Sequence, residues 1–110
     1  MRMSGSNGTT CLDDLILKVI KEVLIDVFGE KAFRVMINFF EKSYRAKWEE
    51  IPKRTYLFGD FLHKVLGEGS TILEELILQN IYSTLRMSFK RKKGYTFSRY
   101  IEDLRMRWKM

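Results

Sequence analysis

Two glycine–glutamate steps, 38 positions apart, punctuate this chain. Residues 20–30 read IKEVLIDVFGE and residues 58–68 read FGDFLHKVLGE. Leu24/Leu62, Val27/Val65, Gly29/Gly67 and Glu30/Glu68 are identical. In each copy an apolar segment of helical period meets a glycine, and another begins at once. Glycine accepts the positive φ that stops a helix, and a glutamate favours the positive end of the next one. The echo is either a duplicated hairpin or two helix ends sharing one glycine solution. Pro52 is the only proline, so little else breaks a helix. The expected fold is all-α: a compact bundle of about five helices, two helical hairpins plus a C-terminal helix over their shared core.

Spacing places the elements. A first helix is expected over 12–28, capped by Thr10 with Asp13 three residues on. Eleven of its seventeen residues are apolar. A helix this apolar is central in its fold or covered by a partner chain. A second helix, 30–45, carries Phe33, Met36, Ile37, Phe40 and Tyr44 at steps of three and four, widened by Val35 and Phe39. Residues 46–54 read as a polar link anchored by Trp48 and Ile51, with Pro52 disfavouring helix at Ile51. A third helix spans 55–66. A fourth spans 71–85, with Thr71 and Glu74 as a capping box and Leu73, Leu76, Ile77, Ile81 and Leu85 as its stripe. Residues 87–95 are expected as an extended turn or a short β-hairpin. The last helix, 97–108, aligns Phe97, Ile101, Leu104 and Trp108. Residues 1–10, small and polar, are expected as a disordered tail before a single domain over 11–110.

Charge is unevenly placed. Residues 86–110 hold nine cations (Arg86, Lys90, Arg91, Lys92, Lys93, Arg99, Arg105, Arg107 and Lys109) against Glu102 and Asp103, a net of +7. The remaining 85 residues hold eleven cations and twelve carboxylates, a net of −1. Such asymmetry suits an acidic partner surface. Tyr95 and Tyr100, set among these cations, can stack on bases, which makes nucleic acid a candidate partner. The competing account of the KRKK run is a solvated, lysine-rich loop. No helix-turn-helix, zinc-finger or RNA-binding pattern accompanies it.

Catalytic patterns are missing. His63 is the only histidine and Cys11 the only cysteine, too few for the usual metal sites or an internal disulfide. The acidic pairs Asp13–Asp14, Glu49–Glu50, Glu74–Glu75 and Glu102–Asp103 are sequence neighbours. On a helix they diverge by about 100° and do not converge on one proton or metal. The GEG at 67–69 is too short to cradle a phosphate, and no Walker or dinucleotide motif occurs. No enzyme and no cofactor is expected. A reducing, cytoplasmic setting is expected from the lone cysteine and the absence of a bilayer-length apolar run.

The order VFGEKA, FFEKSY, WEEIPKR, VLGEGSTILEELI, YSTL and GYTFSRYI resembles a small archaeal domain, the Nitrosopumilus output domain of the fifth type, over about residues 15–104. The resemblance implies a small helical module, found alone or attached to signalling domains, with no established activity and no ligand residues to carry over. Arg45 stands where that pattern has a glycine, and the KRKK run is more basic than the pattern. The expected role is a non-enzymatic interaction or regulatory module with a protein partner. A nucleic-acid-binding protein is the alternative. A homodimer is a further expectation, because the first helix and Trp108 offer more apolar surface than short helices conceal.

Overall fold

The computed structural model describes residues 8–108. Five α-helices follow in order: α1 Gly8–Phe28, α2 Glu30–Tyr44, α3 Thr55–Leu66, α4 Gly69–Thr84 and α5 Phe97–Trp108, with a 3₁₀ helix at Trp48–Lys53 between α2 and α3. α1 packs on α2 and α3 on α4, giving the two hairpins, and α5 lies against α3, α1 and α4. No strand occurs among the described residues.

α1 is the centre of the bundle, touching α2, α4, α5 and the 3₁₀ helix. Leu12, Ile16, Val19, Ile20, Val23 and Leu24 are all buried, at the three- and four-residue steps of one helical face. Each such burial is worth roughly 1.5–3 kcal/mol relative to exposure. Six of the eleven apolar side chains over residues 12–28 are thus buried inside the domain, while Val27 remains 49% exposed. α1 already includes Gly8, the first described residue, so Thr10 lies within the helix and is not its cap, and residues 1–7 of the expected tail lie outside the described residues. Asp13, expected in that cap, instead meets α5.

α2 is covered on one side only. Phe40 is its one fully buried residue, while Phe33, Met36 and Tyr44 pack partly on the core. Val35 and Phe39 point outward, 68% and 56% exposed, and do not widen the core face as expected. Ile51 is fully buried, and Trp48 stands edge-on to Phe33 at 5.4 Å. Both anchor the link. Pro52 sits within the 3₁₀ helix together with Ile51: the tighter coil takes up a pair that the α conformation would disfavour. α4 begins at Gly69 with no side-chain cap, two residues before Thr71, so the Thr71–Glu74 box does not form. On α4, Leu73, Ile77 and Ile81 are buried as expected, with Leu78 and Tyr82 in place of Leu76.

Both glycine steps use the same device. Gly29 N–H donates to the Ile25 carbonyl and Gly67 N–H to that of His63, each at 2.8 Å. Gly29 and Gly67 then open the next helices by accepting from Phe33 and Ser70 at 3.0 and 3.1 Å. Their dihedrals are φ 90°, ψ 162° and φ 61°, ψ −131°. Positive φ was expected, but neither ψ is that of the left-handed helix, and both conformations suit only glycine. Nothing lies within 4 Å of a Cβ built at either position, so a substitution meets torsional strain and no clash. Gly29→Val and Gly67→Val should each cost about 1–3 kcal/mol, read from urea unfolding midpoints.

Arg45, at φ 51° and ψ 42°, ends α2 in the left-handed conformation. Arg86 ends α4 at φ 59°. Met87 N–H donates to Tyr82 at 2.8 Å and Arg86 N–H to Ser83 at 3.0 Å, the paired bonds of a Schellman stop. A left-handed L-residue costs about 1–2 kcal/mol, partly offset by the freedom glycine adds to the unfolded chain. Arg45→Gly should therefore stabilise by about 0.5–1 kcal/mol, and Arg86→Gly should share its sign, both read from urea unfolding midpoints.

A polar tie holds α2 to α3. The Tyr44 hydroxyl donates to Asp60 at 2.5 Å, and Lys64 lies 3.4 Å from the same carboxylate oxygen and 5.5 Å from the Tyr44 ring centre. Burial, reinforced by the hydrogen bond to Asp60, pushes the Tyr44 phenol up to about 12. The same bond holds the Asp60 carboxyl below its usual range. Tyr44 keeps its proton in the folded state after an unfolded tyrosine would lose it. Its contribution to stability is complete below about pH 10 and disappears as pH rises toward 12. That of Asp60 is complete above the ordinary carboxylate range and disappears as acid protonates it. An absorbance titration at 295 nm, subtracting a Tyr44→Phe variant, should isolate one phenol ionising near pH 12. Asp60→Asn should move it down.

Candidate anion-binding surface

The loop from Leu85 to Thr96 joins α4 to α5 and carries the KRKK run. It is not a hairpin: its central backbone bonds to a side chain instead of to a second strand. Lys92 N–H donates to the Tyr100 hydroxyl at 2.6 Å, and that hydroxyl donates to the Lys92 carbonyl at 3.2 Å. Beneath the loop runs a row of rings, Tyr82–Phe89–Tyr100–Tyr95, with successive centres 5.3, 5.3 and 5.0 Å apart. Thr96 Oγ1 accepts the Arg99 N–H at 3.1 Å and caps α5. Thr55 Oγ1 donates to Ser98 Oγ at 3.0 Å, joining the starts of α3 and α5.

The expected anion-binding residues separate into three groups on this frame. Arg91, Lys92 and Arg105 are neutralised by the domain itself. Arg91 grips Glu75 with Nε at 2.9 Å and Nη2 at 2.6 Å, and Lys92 lies 3.6 Å from Asp103. Arg105 bonds Asp13 at 2.7 Å and the Pro52 carbonyl at 2.6 Å. Arg99 and Arg107 lie over rings, 5.3 Å from the centre of Tyr95 and 6.0 Å from that of Tyr82. Arg86, Lys90 and Lys93 are exposed, and no carboxylate among the described residues pairs with them. Lys109 lies outside the described residues.

The aromatic expectation changes too. Tyr100 is buried, 7% exposed, with its hydroxyl spent on the loop. It has no face for a base. Tyr95 packs on Tyr100 and carries Lys92 at 5.2 Å as well as Arg99. The surface left for a partner is thus Arg86, Lys90 and Lys93, supported by Arg99 and Arg107 above their rings.

Two polar features escaped the sequence. One is the Tyr44–Asp60–Lys64 tie, whose Asp60–Lys64 spacing of four was visible but whose tyrosine lies sixteen residues away. The other is Glu74, which the sequence offered as a capping residue and as one of a divergent acidic pair. It lines a groove of about 490 Å³ between α4 and the loop. No group of three or more metal-ligating side chains gathers among the described residues, and no described helix is long and apolar enough to cross a membrane. No family model, no curated protein and no solved structure matches the chain.

Proposed function

We propose that this domain is a non-enzymatic interaction module that docks an acidic protein surface through the α4–α5 loop. One observation carries the proposal: Arg86, Lys90 and Lys93 have no described carboxylate partner, yet they stand on a backbone held by Tyr100, the ring row and the Arg91–Glu75 pair. A loop already fixed loses little entropy on binding. Exposed cations of one sign speed the encounter with an anionic partner. An output module of a signalling chain, as the family resemblance implies, would reach its target through such a surface.

Nucleic acid is the second reading, favoured by the same net charge. Single-strand binders stack bases on open aromatic faces. Here Tyr100 is buried and Tyr95 is flanked by two cations, which favours protein over single strands. The test compares poly-glutamate, random duplex and single-stranded oligonucleotide at two salt concentrations, with a Lys90→Ala/Lys93→Ala variant beside the parent. Salt-sensitive poly-glutamate binding that weakens in the variant supports docking. Preference for either nucleic acid moves the assignment to the second reading, and an unchanged variant removes both.

A further inference from the structure

Between α4 and the α4–α5 loop lies a groove of about 490 Å³, within the 300–1,000 Å³ usual for small-ligand sites. Its walls are largely apolar, built from Leu78, Phe89, Tyr95, Phe97 and Tyr100. Glu74 lines it and also lines the adjoining groove that reaches Gly59 and Ser98. Glu74 Oε2 lies 3.4 Å from where a Cβ on Gly59 would stand. The missing side chain of Gly59 leaves room for this carboxylate at the α3–α4 contact.

Glu74 is half-buried, and among the described residues it makes no hydrogen bond and no ion pair. The cations on the opposite wall do not serve it. Arg91 is taken by Glu75 and Lys92 by Asp103, while Lys93 is exposed at the rim. Burial raises the Glu74 carboxyl above its ordinary range, with His63 opposing the shift. A carboxylate withdrawn from water without a partner is costly, and a cation entering the groove would relieve that cost. The apolar walls suit the body such a cation carries.

We propose that this groove binds a small organic ammonium ion, an apolar or aromatic body carrying one cationic amine, with Glu74 as its counter-ion. This binding is separate from the docking of an acidic partner. The ammonium sits inside the groove against α4, whereas Arg86 and Lys90 lie outside its lining and Lys93 stands at its rim.

The probe is phenethylammonium, compared with 2-phenylethanol and 3-phenylpropionate, which keep the ring and change the charge. Titrations followed by amide NMR should show saturable shifts in α4 residues 71–78 and loop residues 89–97 at millimolar phenethylammonium. A charge-assisted hydrogen bond should give the ammonium an advantage of about tenfold over the alcohol. Glu74→Gln keeps the shape, removes the charge and should melt no lower than the parent. In it the ammonium and the alcohol should bind within about twofold of each other. Lys90→Ala, which lies outside the groove's lining, should keep the parent's preference for the ammonium while weakening poly-glutamate binding, so the two proposals fail separately. No binding, equal binding of ammonium and alcohol to the parent, or an undiminished preference in Glu74→Gln overturns the assignment.

Discussion

Phe58→Ala should lower the stability of this domain by about 3–5 kcal/mol, enough to leave little of a typical total of about 5–15 kcal/mol. Phe58 is fully buried on α3. Its ring centre lies 6.3 Å from Phe40 on α2, 6.4 Å from Phe61 on its own helix and 6.1 Å from Phe97 on α5. It is the ring through which both hairpins and the last helix meet. Truncation removes burial and leaves a cavity bounded by rigid rings that cannot easily collapse. Urea unfolding should show a large fall in midpoint with an unchanged slope. Phe39→Ala provides the contrast. Phe39 touches Phe61 edge-on at 5.9 Å but is 56% exposed, so its loss should cost less than about 1 kcal/mol. Equal losses at the two positions would mean that α2 is seated differently on α3.

How much of this was legible depended on the kind of signal. Helical period and glycine stops are local, and they placed α3 and α5 at their observed bounds and α2 within one residue. Caps were read less well. Thr10 and Thr71 looked like caps because each precedes an apolar run, yet both helices began earlier. A helix buried along one face can extend past a good cap when its next residues have no competing demand. Exposure was harder still. Val35 and Phe39 have the same spacing as core residues, and only knowing that α2 is packed on one side separates them. The cations were least legible of all. In sequence Arg91, Arg105 and Lys93 are equivalent members of one basic C-terminal quarter. Their partners, Glu75 sixteen positions upstream of Arg91 and Asp13 ninety-two positions upstream of Arg105, are set by tertiary packing.

Arg105 turns that distinction into the second large effect. Its guanidinium reaches Asp13 on α1 and the Pro52 carbonyl in the 3₁₀ helix, tying three segments together. The side chains of Arg105 and Asp13 are only 22% and 14% exposed, so the pair is shielded from water. Removing one member of such a pair strands the other, a loss of about 3–5 kcal/mol when burial is complete. Arg105→Ala should therefore cost about 2–4 kcal/mol, discounted for residual exposure. Asp13→Leu/Arg105→Met should cost less than Arg105→Ala alone, because the one carboxylate stranded by Arg105→Ala is worse placed than two apolar side chains of similar size. A double-mutant cycle isolates the pair term. Lys90→Ala and Lys93→Ala should leave stability within about 0.5 kcal/mol while weakening poly-glutamate binding. Arg105→Ala, measured where it remains folded, should do the reverse. A charge already matched inside the domain serves the fold, and the proposed docking rests on the unmatched ones.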